Sequence, residues 1–211
     1  MSGLLDLLSS PMGQLMIQGV SRETGQPEDK TADVLSMALP VLMGAMKKNA
    51  STSQGAQGLM SALSSKHSGG ILDDLGGLFG GGVDSNVLND GAGILGHVLG
   101  NRQPAVESAL SQKSGMDPSA IANILKIAAP ILMGYLGRQT SQSNISDSNG
   151  LTSLLGSMLG GQPQSNQSLI TSLIDADGDG SVLDDVADMV LGSKNKKSGG
   201  LGGMLGGLFG K

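Results

Sequence analysis

The chain contains no cysteine, and this absence excludes several kinds of chemistry at once. Without a thiol there can be no disulfide, no thiolate-bound metal and no cysteine nucleophile. A cysteine-free chain is consistent with a reducing compartment. Residues 1–8 also do not match a secretory signal, because they carry no basic region and Asp6 interrupts their apolar run. We therefore expect a cytoplasmic protein.

The chain is also nearly free of aromatic residues, with no Trp, one Tyr and two Phe. Its core must be built from Leu, Ile, Val, Ala and the 12 Met, which favours closely approaching helices over a sheet. The 35 Gly oppose this tendency, since each costs roughly 1 kcal/mol inside a helix. Gly-dense stretches are therefore predicted to be hinges, caps or loops unless a partner surface holds them.

Positive charge is scarce and scattered, and the formal net charge is -5. A nucleic-acid-binding surface is therefore not expected. Two strongly apolar runs surround Pro40 and Pro130, but each covers only about a dozen residues, whereas a bilayer demands roughly 20. Buried core helices are favoured over membrane spans, so a membrane partner is not expected.

The two apolar runs belong to an internal duplication. Residues 39–44 read Leu-Pro-Val-Leu-Met-Gly, and residues 129–134 read Ala-Pro-Ile-Leu-Met-Gly. The same offset aligns Gly25 with Gly115, and a further shift of two residues aligns Gly58 with Gly150. Each half is therefore predicted to be one structural unit.

These units are predicted to be helical, with unit one at residues 1–84, unit two at 91–192 and a Gly-rich flexible tail at 193–211. The predicted fold class is all-α, with the two units packed as a pseudo-twofold helical bundle; pairing with copies from another chain is the alternative. Asp117-Pro118 is typical of a capped helix start. Each central helix carries an interior proline, which is expected to kink it or split it in two.

An acidic stretch near the C-terminal end, Asp-Ala-Asp-Gly-Asp-Gly-Ser, is typical of a calcium loop. Closely spaced carboxylates repel one another unless a hard cation lies between them, and oxygen ligands with a glycine at the turn suit Ca²⁺. The usual Glu at position 12 is missing, because Val186 stands there, so a weaker site is expected. The predicted metal ligands are Asp175, Asp177, Asp179, Ser181 through its carbonyl, and Asp185. The alternative is a plain Asp-Gly turn on a solvated surface.

Asp184 and Asp185 are ambiguous between metal ligands and helix caps. Unit one has a related Leu-Asp-Asp element at Asp73 and Asp74 but no acidic triplet before it. Its carboxylates are predicted to cap a helix, where they accept bonds from free N–H groups and meet the positive end of the helix dipole.

Two Gly-Gly-apolar runs, residues 75–81 and 201–211, leave three alternatives open. A flexible linker or tail is favoured, ahead of a self-association or docking segment and of lipid contact. His97 is assigned no catalytic role, because no second histidine and no nucleophile motif lies near it in the sequence. No serine-hydrolase, phosphate-loop or zinc-protease motif is present, so an enzyme is not expected.

Residues 90–100, the Leu-Pro-Val-Leu-Met-Gly element and the Asp-rich stretch together resemble the YidB-like bacterial family, a domain of unknown function. The resemblance covers nearly all of residues 1–192 and implies an all-helical fold. It implies no activity, substrate or catalytic residue.

The sequence therefore predicts a non-enzymatic, calcium-binding helical scaffold or interaction protein, with a protein partner or self-association. One alternative is a structural protein that assembles into oligomers or filaments through its Met-rich helices and Gly-Gly-Leu-Phe segments. Another is a membrane-associated protein that uses its Gly-rich amphipathic segments.

Overall fold

The computed structural model describes residues 4–160 and 164–175, and this part of the chain is all α-helical without strands. The prediction of an all-α fold is confirmed. Short 3₁₀ turns at Gly70–Leu72 and Gly100–Arg102 link helices, and a π-helical turn, Thr171–Asp175, ends the described part. The helices are α1 Leu4–Ser9, α2 Pro11–Thr24, α3 Glu28–Asn49, α4 Ser53–Ser65, α5 Leu75–Gly80, α6 Ser85–Val98, α7 Gln103–Ser114, α8 Pro118–Gln142, α9 Ser148–Leu159 and α10 Gln164–Ile170.

Helices α3 and α8 form the centre of the core. They are apolar on nearly every face, and both are continuously buried through their middle turns, residues 38–46 in α3 and 127–137 in α8. Helix α3 contacts α7, α8 and α9, so helices from the two predicted units share one core. By length and composition α8 could cross a membrane, but 78% of its apolar window is buried inside the fold.

The interior prolines do not split these helices, so that alternative is wrong: α3 and α8 each run unbroken past them. A proline cannot donate to the carbonyl four residues earlier, which leaves Ser36 O and Lys126 O without a helical partner. Asn166 Nδ2 in α10 donates to Ser36 O over 3.0 Å. Gly91 of α6 lies against Lys126 O so closely that a Cβ there would overlap the oxygen. A neighbouring helix thus contacts each of the two carbonyls that the prolines leave without a helical partner.

Two pairs of corresponding helices in the two predicted units share the chemistry of one end: α2 and α7 end alike, and α4 and α9 begin alike. Gly25 ends α2 with φ of 65° and Gly115 ends α7 with φ of 68°, the left-handed conformation that favours glycine. Thr52 caps α4 through Gly55 N, and Asp147 caps α9 through Gly150 N. These caps place Gly55 opposite Gly150, where the sequence alignment had placed Gly58.

The predicted start of α8 is correct, although its cap is not. Asp117 has the extended backbone of an N-cap and Pro118 opens the helix, but the Asp117 side chain accepts no capping bond.

The Gly-rich run at 75–81 contains the packed helix α5 and is not a flexible linker, so the favoured interpretation is wrong for this run. Asp74 caps α5 by accepting a bond from Gly77 N at 2.7 Å, and Leu75 and Phe79 are buried. The Phe79 ring lies directly over Gly19 of α2, where any Cβ would overlap it. A glycine in α2 therefore makes room for one of the chain's few aromatic rings. The other run, 201–211, lies outside the described residues.

Candidate functional site

The predicted calcium loop lies almost wholly beyond the described residues. Asp175 is the last described residue and ends the π-helical turn. The other predicted ligands, Asp177, Asp179, Ser181 and Asp185, and the ambiguous Asp184, lie outside the described residues. Within 4–160 and 164–175, no group of three or more His, Asp or Glu side chains could hold a metal ion.

The backbone just before the acidic triplet is fixed to the core. Leu173 and Ile174 are buried, at 4% and 3% exposure. Lys48 Nζ, at the end of α3, donates to Ile174 O over 2.8 Å. The acidic stretch therefore begins from an anchored position.

The Leu-Asp-Asp element of unit one divides its two carboxylates between different roles. Asp74 caps α5, which confirms the prediction for this residue. Asp73 instead accepts a hydrogen bond from Arg138 Nη2 of α8, and the same nitrogen donates to Gly69 O over 3.1 Å. The element thus starts a helix and ties it to α8.

A groove of about 1200 Å³ lies between α4 and α6, above the C-terminal end of α3, and the sequence did not predict it. Its apolar lining includes Met46, Leu59, Ile94 and Met133, and Asn49, Asn86 and Asn89 contribute amides. Its ionisable lining residues are Lys48, Lys66, His67, Asp90, His97 and Arg102.

Both histidines of the chain line this groove. His67 Nε2 lies 3.6 Å from Asp90 Oδ2, and the His67 side chain is 8% exposed. Burial lowers the pKa of His67, although the Asp90 carboxylate opposes this shift, and nearby Lys66 lowers the pKa further. The lowered pKa favours the neutral imidazole at neutral pH, so the contact with Asp90 is not a full ion pair there.

His97 is held by its own helix and by α3. Its Nδ1 donates to Gly93 O over 2.9 Å, which leaves Nε2 of the neutral ring as an acceptor. Asn49 Nδ2 donates to His97 O at 3.1 Å and to Val98 O at 3.2 Å. Asn49 thereby joins the C-terminal ends of α3 and α6.

The groove is net positive although the whole chain is acidic. Lys48, Lys66 and Arg102 outnumber the single carboxylate, Asp90. Arg102 Nε is buried and has no hydrogen-bond partner in the described part of the chain. Leaving a buried donor unpaired costs about 1–3 kcal/mol, and this atom is enclosed by protein, so a group in the groove does not reach it.

The hydroxyl groups in the groove are already bonded to backbone groups. Ser51 Oγ donates to Lys48 O over 2.6 Å. Thr52 Oγ1 donates to Asn49 O and accepts from Gly55 N. Both hydroxyls thus serve the turn between α3 and α4.

A family model described as a bacterial protein of unknown function (DUF937) matches residues 6–139 and 142–211. No curated protein and no solved structure matches the chain.

Proposed function

Since the chain belongs to the DUF937 family of bacterial proteins of unknown function, we propose on its own residues that it is a non-enzymatic, calcium-binding helical scaffold or interaction protein. The observation that carries the metal site is the anchored start of the Asp-rich stretch. A first ligand at Asp175 follows a buried Ile174 whose carbonyl is held by Lys48. Fixing one end of a short loop reduces the entropy lost when the loop closes on an ion.

In this proposal, Ca²⁺ is bound by Asp175, Asp177 and Asp179, with the Ser181 carbonyl and Asp185 completing the set. Asp74, the residue aligned with Asp185, caps α5. By that analogy, Asp185 has two alternative roles, as a metal ligand or as a helix cap. The three Asp of the triplet are therefore the primary ligands.

Calorimetric titration of the full chain with CaCl₂ tests the metal site, together with thermal melting. Calcium at about 100 times its Kd should stabilise the protein by about 2.7 kcal/mol, which raises Tm by roughly 5–10 °C. D177N/D179N should lose both the heat and the shift. The matched control D29N/D33N removes the same charge from exposed positions on α3 and should keep both. No heat of binding in the native chain would overturn the metal site.

A binding role also fits the groove better than catalysis does. Among residues 4–160 and 164–175, no hydroxyl bonds to either histidine or to Asp90, and the mixed lining suits a peptide or protein segment. We propose that this activity is cytoplasmic, because the chain lacks cysteine. We also propose that the matching caps of α2 with α7 and of α4 with α9 reflect a pseudo-twofold duplication.

A second candidate function, self-assembly, is favoured by an exact sequence identity. Residues 205–210 repeat the Leu-Gly-Gly-Leu-Phe-Gly sequence of α5 without a change. In α5 this hexapeptide is a helical turn that buries Leu75 and Phe79, and Phe79 lies against Gly19 of α2. A second copy can occupy an equivalent surface on another molecule, which would link subunits.

Light scattering after size-exclusion chromatography tests self-assembly. The native chain should elute as an oligomer, and F209A or deletion of residues 193–211 should release monomer. K194A removes a charge from the same tail but keeps the hexapeptide, and should remain an oligomer. One mass shared by all four proteins would argue against assembly through the tail.

A further inference from the structure

The two ends of α3 lie at surfaces of opposite charge. Helix α3 has 22 residues, so at 1.5 Å per residue its ends are about 30 Å apart. The groove lies at its C-terminal end, and the lining carries three cationic side chains and one carboxylate. Glu28, Asp29 and Asp33 lie in the first turns at the other end, and all three are exposed. We call residues 25–29 together with Asp33 the acidic corner.

The acidic corner is a tight turn between α2 and α3 with an excess of negative charge around it. Gly25 ends α2 and Pro27 precedes α3, and both are exposed, so an apolar ring lies at the tip of the turn. Glu23 accepts a bond from Val83 N over 3.1 Å, which brings Asp84 to the same surface. The carboxylates here are Glu23, Glu28, Asp29, Asp33 and Asp84, and the cations are Arg22 and Lys30. No ion pair within the described residues neutralises these carboxylates.

Only one of the two duplicated helix starts has this acidic pair. The internal duplication pairs the first turns of α8 with those of α3. Ser119 and Asn123 stand in α8 where Asp29 and Asp33 stand in α3. A helix of the same kind therefore starts without the two carboxylates, so the fold alone does not require them.

The groove has the chemistry and the size to receive such a corner. Its floor is apolar at Met46 and Met133. Lys66 lines it, is exposed and forms no ion pair with any described residue. The lining residues along α4 run from Gln54 to Lys66, which at 1.5 Å per residue is about 18 Å, whereas a helix with its side chains is about 10–12 Å across. One helix end can therefore enter the groove.

We propose that the groove binds the acidic corner of a second copy of this chain, with Pro27 over the apolar floor and the carboxylates of Asp29 and Asp33 on Lys66. The two surfaces lie at opposite ends of one helix, so a molecule cannot occupy its own groove. Each molecule offers its corner to one neighbour and its groove to another, a head-to-tail contact that forms rings or open chains. The contact uses neither the calcium ligands nor residues 193–211, so its failure would leave both functions proposed above untouched.

This contact should be weak and sensitive to salt. Exposed ion pairs contribute little each, and a groove of this length gives a small interface, so we expect a Kd on the order of 10–100 µM at low salt. Dilution on a size-exclusion column dissociates such a contact, so that measurement detects association through the tail alone. Salt at about 1 M shortens the screening length to about 3 Å and should weaken the contact about tenfold or more.

Sedimentation velocity of the full-length chain at low salt measures the contact. The variants are made in F209A, so that association through residues 205–210 does not contribute. D29S/D33N gives α3 the residues that α8 carries, and K66E reverses an exposed charge of the groove. F209A should associate beyond dimers at on the order of 100 µM, and each variant should associate about tenfold more weakly. K113E, at an exposed lysine of α7 outside the groove, should match F209A.

Mixing the two variants tests the direction of the contact. D29S/D33N keeps a native groove and K66E keeps a native corner, so an equimolar mixture should regain association and stop at a one-to-one dimer. K66Q replaces K66E if the charge reversal lowers the melting temperature. A mixture that stays monomeric overturns the head-to-tail contact, as does an F209A chain that stays monomeric at about ten times the expected Kd or stops at a dimer. Association of D29S/D33N equal to that of F209A overturns the role of the acidic corner.

Discussion

Two glycines of α6 should respond in opposite directions to the same substitution. Gly96 is exposed, and a Cβ there would meet nothing within 4 Å. Gly91 is buried, and a Cβ there would overlap Lys126 O, the carbonyl that Pro130 leaves without a helical partner. Comparing the two substitutions therefore separates the effect of helix propensity from the effect of the contact between α6 and α8.

Gly96→Ala should stabilise the protein by about 0.5–1 kcal/mol, because alanine loses less backbone freedom on folding. Gly91→Ala gains the same propensity but forces α6 away from α8. Overpacking costs about 1–3 kcal/mol, and the upper end applies here because the obstacle is backbone. The net effect of Gly91→Ala is a loss of about 2 kcal/mol.

Thermal melting and urea denaturation measure both variants. For a chain of this length each kcal/mol moves Tm by about 2–4 °C, so Gly96→Ala should raise Tm by about 1–4 °C and Gly91→Ala should lower it by about 4–8 °C. Equal shifts, or a stabilised Gly91→Ala, would refute the close contact between α6 and the Lys126 carbonyl.

Three further predictions concern α5, α8 and the groove. Phe79→Ala should cost about 3–5 kcal/mol by calorimetry, since it empties the space over Gly19; a loss under about 1 kcal/mol would contradict that packing. Arg138→Gln should cost only about 1 kcal/mol in urea denaturation, because the Asp73 side chain is 71% exposed. His67 has a lowered pKa when folded, so the unfolded chain binds its proton first and stability should fall as pH drops below about 6.5. His67→Gln should flatten that part of the stability profile between about pH 7.5 and about pH 5; an unchanged slope would show that another group causes it.

The sequence predicted those parts of the fold that depend on local pattern. Apolar runs identified α3 and α8 as central helices, and the Leu-Asp-Asp element identified Asp74 as a cap. Both signals act within one or two turns of helix, so neighbouring residues suffice to detect them.

The remainder depends on contacts between residues distant in the chain. The unbroken course of α3 involves Asn166, 130 positions away from its acceptor Ser36. The packing of the Gly-rich α5 against the fold requires Gly19 on another helix, which leaves room for the Phe79 ring. His67 and His97 lie on different elements, and only the packing of α4 beside α6 brings them into one groove. The spacing of residues along the sequence does not predict that these two histidines lie in the same groove.

The proline in the middle of α3 has a consequence for the opposite end of the chain. Asn166 Nδ2 supplies the donor that Pro40, which has no N–H, cannot give to Ser36 O. An alanine at position 40 would restore the backbone bond to Ser36 O and strengthen α3, so this carbonyl would no longer depend on Asn166 for a donor. The hydrogen bond that joins α10 to α3 would then contribute less, although no residue of α10 had changed. An imino acid more than a hundred positions upstream thus helps to hold the helix that precedes the Asp-rich stretch.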